Sequence, residues 1–245
     1  LLGYMMPVER EFVSPDFVRL GSQLACAEMI RSGTTCFADM YYYEEDIAKA
    51  TAEAGMRAVC SQTVLKFPTP DAQFYEDSLA ATRDFIVRWK NHPLIVPSVA
   101  PHAPYTCTPE ILQACAALAA EFDVPLHTHL GETASEVETM RNEQGMPVIP
   151  YVKKQNLFDA KVLAAHCVHI DEGEMTNLDL MMASYEPSAH LNADFFENKI
   201  AYYIALNFPF YSLAEKNELG KNWTRKQWAY ARAGDLFTSN IPASL

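Results

Sequence analysis

Five β-prone stretches alternate with helical ones along this sequence, and no link between successive strands is short enough for a hairpin. Thr34–Met40, Arg57–Leu65, Leu94–Ala100, 124–130 and Lys161–Cys167 read as the strands. Crossovers of a dozen or more residues join parallel neighbours, so the alternation predicts a parallel sheet with helices packed outside it. The helix signals are local. Ser14-Pro15 and Thr108-Pro109 each pair an N-cap hydroxyl with a proline at the first helical position. Gly33 ends the first of these helices, which carries Phe17, Leu20, Leu24 and Ala27 on one stripe. Glu44-Glu45-Asp46 sets acids at the positive end of the next helix, which closes at Gly55. Tyr75, Leu79, Thr82, Ile86 and Trp89 mark one face of a third, and Ile111, Leu112, Cys115, Leu118, Ala119 and Phe122 supply the buried stripe of a fourth. A polar, acid-rich segment follows residue 130, then a helix near Val148–Gln155.

A (β/α)8 barrel and an open doubly wound sheet both fit this alternation. No Gly-rich G-x-G-x-x-G or Walker loop follows any strand to favour the nucleotide-binding sheets. The polar residues separate the two. His102, His129 with Glu132, and His166 all fall at or just past the C-terminal ends of three successive strands. Barrel enzymes collect their chemistry there, so the expected fold is an α/β, TIM (β/α)8-type barrel.

Composition narrows the function classes. At 245 residues, 49% hydrophobic and 20% charged, the chain suits one large globular domain over 1–245. Asp and Glu outnumber Lys and Arg by 31 to 19, a formal charge of −12, with no basic run to offset it. Nucleic acid and anionic membrane are poor partners for such a surface. The six cysteines include no C-x-x-C pair and several have apolar neighbours, which points to a reducing interior. No apolar run approaches the roughly 20 residues of a spanning helix and no signal-peptide pattern is present, so the expected location is the cytoplasm. Leu1-Leu2-Gly3-Tyr4-Met5-Met6 reads like the interior of a longer chain.

The chemistry concentrates in Pro125-Leu126-His127-Thr128-His129-Leu130-Gly131-Glu132-Thr133. Strand alternation puts His127 and His129 on one face, with Glu132 where the strand gives way to a loop. In His129-x-x-Glu132 an imidazole can hold a metal while the nearby carboxylate moves protons. Taken singly, His102 in a Pro-bracketed turn and His166 at the end of an apolar strand are ordinary structural histidines. Their equivalent positions on successive strands favour a shared site.

Several segments then carry a resemblance: Pro7-Val8-Glu9-Arg10, Ala27–Thr35, Asp39-Met40-Tyr41, Ala100–Cys107, His127–Thr133 and Ala165–His169. In order and wording they resemble the amidohydrolase superfamily, most closely the 5-methylthioadenosine/S-adenosylhomocysteine deaminases and their chlorohydrolase relatives. The match covers about residues 5–172, while 173–245 diverge. The resemblance implies a barrel with one divalent metal, zinc or iron, whose activated hydroxide attacks the amine-bearing ring carbon of an adenosine-like nucleoside. It implies His129 as metal ligand, Glu132 as proton shuttle and substrate contact, His166 beside the attacking water and His102 as a substrate contact.

The chain also departs from that pattern. The family's first-strand His-x-His and its strand-8 Asp motif are missing, so the barrel is expected to be incomplete, with strand 1 absent. Asp194, in His190-Leu191-Asn192-Ala193-Asp194, is the one strand-like Asp to offer as a second ligand; a turn or helix cap is its ordinary role. A partial shell predicts weak metal binding, and open strand edges admit pairing with a second copy. The alternatives are a barrel without catalysis that binds a small ligand or partner, and an amidohydrolase acting on a triazine, guanine or another heterocycle.

Overall fold

The computed structural model describes residues 3–171, 173–174 and 202–204. Its elements are α1 (Met5–Phe12), α2 (Pro15–Ser32), β1 (Cys36–Tyr41), α3 (Glu44–Glu53), β2 (Arg57–Val64), α4 (Tyr75–Trp89), β3 (Ile95–Pro101), α5 (Pro109–Phe122), β4 (Pro125–Leu130), α6 (Ala134–Gln144), α7 (Val148–Lys154), a 3-10 turn (Leu157–Asp159), β5 (Lys161–His166) and β6 (Tyr202–Ile204). Two compact units divide the described residues: 3–127 with 155–161, and 128–154 with 162–171, 173–174 and 202–204.

In the first unit β1 pairs with β2, β2 with β3 and β3 with β4, all in parallel. Hydrogen-bonded neighbours are thus consecutive in the chain, and the long helical crossovers account for their parallel pairing. The caps act as the sequence implies. Ser14 Oγ accepts the Phe17 N–H at 3.2 Å, and Thr108 Oγ1 accepts that of Ile111 at 3.4 Å. Gly33 closes α2 at φ 86°. Alternation along β2 turns Ala58 and Cys60 into an apolar core with Ile47, Phe85, Trp89 and Ile95. Ile86, Ile111 and Leu112 are also fully buried, each contributing about 1.5–3 kcal/mol of transfer free energy.

Helix α2 differs from the sequence reading. Phe17, Leu20 and Leu24 are 55%, 70% and 61% exposed, whereas Val18 and Cys26 are buried. The inward row is Val18, Ser22 and Cys26 at i, i+4 and i+8, and the Cys26 thiol meets Thr51 Oγ1 of α3 at 4.0 Å. The apolar stripe is therefore not the packed one.

In the second unit β5 and β6 pair in parallel, with Leu163 opposite Tyr202 and Ala165 opposite Ile204. The Cys167 N–H donates to the Leu130 carbonyl and the His169 N–H to that of Gly131, both at 2.8 Å. These bonds tie the end of β4 to the segment after β5. Helix α6 occupies the stretch read as merely polar and acid-rich. Its apolar burial is confined to Val137 and Met140, too little to print a clear helical stripe, and Thr133 and Gly145 supply its caps instead. The buried Glu174 accepts the Ile149 N–H of α7 at 3.0 Å. Among the described residues no helix is long and apolar enough to cross a membrane.

Candidate active site

The second unit brings three of the expected site residues together. His129 lies near the end of β4, Glu132 just beyond it, and His166 ends β5. The His129 and His166 rings are 5.2 Å apart between centroids and tilted by 31°. Glu132 Oε1 lies 3.8 Å from His166 Nε2, with side chains 41% and 24% exposed. That gap is too long for a hydrogen bond, but one oxygen can sit within hydrogen-bond reach of both atoms. The arrangement is an acid–base pair beside a second imidazole.

Local backbone strain sets this geometry. His166 and Cys167 both take positive φ, 69° and 51°, a region that costs non-glycine residues about 1–2 kcal/mol each. The bonds from Cys167 and His169 to the end of β4 hold the turn there. Gly131 has φ 59°, and a Cβ added to it would meet Ile170 Cγ2 at 3.1 Å. Gly131→Ala should therefore lower stability by about 1–3 kcal/mol in urea unfolding. A loss below about 0.5 kcal/mol would show that the turn is not strained in this way.

Glu136 is a site residue that the sequence reading passed over. It is 4% exposed, and its carboxylate accepts the Gly131 N–H at 3.0 Å and the Glu132 N–H at 2.8 Å. Its own N–H donates to Thr133 Oγ1 at 3.1 Å. Burial raises its pKa, against the lowering effect of these backbone N–H donors. The signal was present as Thr133-x-x-Glu136, the spacing of a capping box. Here the carboxylate reaches beyond the cap to the two preceding peptides.

His102 and His127 belong to the first unit. His102 follows β3, with Nδ1 2.9 Å from Thr106 Oγ1. The Thr106 Oγ1 also lies 3.1 Å from the Ala103 carbonyl. His127 is 5% exposed, its Nδ1 3.2 Å from Ser61 Oγ, which lies 3.0 Å from Ser98 Oγ. This buried polar layer crosses β2, β3 and β4. The first unit also buries a carboxyl pair. Among the described residues Asp39 Oδ2 and Glu44 Oε2 have no hydrogen-bond partner, while Glu44 Oε1 accepts the Ser61 N–H at 2.9 Å.

Asp194 and His190 lie outside the described residues. Among the described residues no group of three or more His, Cys, Asp or Glu side chains is placed to hold a metal ion. A catalytic zinc takes three protein ligands, so the described donors do not make a complete site for it.

Polar chemistry at the C-terminal ends of parallel strands, with helices between them, defines the class as a (β/α)-barrel type of α/β protein. The chain belongs to the amidohydrolase family, whose model matches residues 1–194. It is similar to the 5-methylthioadenosine/S-adenosylhomocysteine deaminase of Thermodesulfovibrio yellowstonii, at 43% identity over 175 residues, 71% of this chain and 40% of that protein. It is also similar to the 5'-deoxyadenosine deaminase of Methanocaldococcus jannaschii, at 39% identity over 178 residues, 71% of this chain and 42% of that protein. Among solved structures, a zinc-bound adenosine deaminase from Xanthomonas campestris superposes with a TM-score of 0.70 at 27% identity, covering 80% of this chain and 47% of that one. The chain thus spans about two-fifths of the length of these curated relatives.

Proposed function

We propose that this chain carries part of the machinery of a metal-dependent hydrolytic deaminase acting on an adenosine-like nucleoside, of the 5-methylthioadenosine and S-adenosylhomocysteine class, in the cytoplasm. The observation that carries the reading is the 3.8 Å approach of Glu132 to His166 beside the His129 ring. The relatives' names supply the substrate class. His129, with Asp194 or donors from elsewhere, would hold zinc or iron, which when bound acidifies water and polarises the reacting carbon. The proton steps rest on the side chains. Glu132 takes a proton from the attacking water and delivers it to the ring nitrogen, while His166 orients that water. The new C–O bond forms at the amine-bearing carbon, the remaining proton of the former water passes to the amine, and the C–N bond breaks to release ammonia and leave a ring carbonyl. His102 would contact the substrate.

Ammonia release tests the reading. The chain would be assayed with zinc or iron, alone and joined to an upstream segment carrying a His-x-His strand. The panel would be 5'-methylthioadenosine, S-adenosylhomocysteine, 5'-deoxyadenosine, guanine and a triazine. The chain alone should bind well under one equivalent of metal and turn over poorly; the extended chain should deaminate the adenosine-like compounds. Stoichiometric metal and full turnover by the chain alone would overturn the partial-site reading, and preference for guanine or triazine would reassign the substrate. The lack of a three-donor cluster among the described residues favours one rival, a barrel that binds a small ligand without catalysis. That rival predicts no ammonia from either form of the chain.

A further inference from the structure

We propose that Glu136 is a positioning residue for Glu132: its buried carboxylate clamps the Gly131 and Glu132 peptides and so sets where the Glu132 side chain leaves the backbone. Two oxygens of one carboxylate take two consecutive N–H groups, at 3.0 and 2.8 Å. Such charge-assisted bonds are about twice as strong as neutral ones. Gly131, with φ 59°, turns both N–H groups toward one acceptor, a concave arrangement suited to an anion. In free peptides that acceptor would be water; here a side chain that is 4% exposed fills the role.

An ordinary capping box needs only the N-cap N–H, that of Thr133. Glu136 also bonds to the two residues before it, and one of those is the proposed proton shuttle. The clamp therefore serves the loop as well as helix α6, whose first turn is capped by Thr133 Oγ1 at 3.1 Å. Proton transfer is sensitive to displacements of an ångström or less, so a loosened Glu132 backbone would slow the chemistry without weakening substrate binding. This inference rests on Glu132 acting as the shuttle.

Glu136→Gln keeps shape and volume but turns an amide N–H₂ toward one of the two donors. In the 245-residue chain, amide NMR and hydrogen exchange should show one of the Gly131 and Glu132 N–H groups moving upfield and exchanging at least tenfold faster. In the upstream-extended enzyme kcat should fall about 10- to 100-fold, with KM within about twofold of the original. Met140→Ala, which empties a buried position on α6 away from the loop, is the control for simple damage to the helix: it should lower stability yet leave kcat and both amide signals near their original values. Unchanged amide signals in Glu136→Gln, or a kcat loss matched by Met140→Ala, would overturn the positioning role. If the extended enzyme loses no activity with Glu132→Gln, the shuttle reading fails instead, and the amide signals still decide whether the clamp exists.

Discussion

Raising the pH from about 4 to 7 should cost this protein roughly 2–3 kcal/mol of stability through a single buried pair, Asp39 and Glu44. Burial pushes the Asp39 carboxyl up from 3.8 to about 6. Burial likewise raises Glu44, and the Asp39 charge adds to it. Both folded values lie above those of the unfolded chain, so the folded state binds protons more tightly. The Asp39 share of the stabilisation is full below about pH 4 and disappears as pH rises through about 6. The facing groups do not offset this. Burial raises the Cys60 thiol on β2, with Glu44 and Asp39 adding to it, and burial and Asp39 raise Cys26 on α2. Asp39→Asn removes the titrating charge at constant size. Its midpoint at pH 8 should exceed the original by about 5–10 °C, with a flatter profile between about pH 4 and 7. Parallel melting profiles for the two proteins across that window would refute the assignment.

That pair also marks a limit of reading the sequence. Asp39 sits in a β-prone run and Glu44 at a helix start, and each looks conventional alone; only the folding of α3 against β1 and β2 buries them together. The Ser61–His127 contact is likewise invisible, since 66 positions separate the partners. Features written within four residues were legible: Ser14-Pro15, Thr108-Pro109, Gly33 and the His129-x-x-Glu132 spacing. The parallel pairing followed from crossover length, whereas the strand order did not. Helix α2 misled because an apolar stripe states what could be buried, while packing against α3 selected the Val18–Ser22–Cys26 row. Helix α6 was missed because its stability comes from caps and backbone clamps more than from an apolar face.

The largest catalytic effect expected is from Glu132→Gln in the upstream-extended enzyme: a fall in kcat of about 10²- to 10⁴-fold, the usual range for a positioned proton carrier. The amide keeps the size of the side chain and a contact toward His166 but cannot take a proton. Glu132 is 41% exposed, so the change should move unfolding free energy by no more than about 0.5 kcal/mol. Metal content should also hold, because the shuttle is not assigned as a ligand. The three readouts together identify the cause of any loss. Lost turnover with unchanged stability and metal content isolates proton transfer; lost metal would make Glu132 a ligand, and retained turnover would give the proton to another group. Gly131→Ala supplies the opposite pattern, since it displaces the same carboxylate through the backbone and must lower stability and kcat together. A site whose shuttle is exposed but whose loop is strained and clamped should show that separation, and a merely structural His–Glu contact should not.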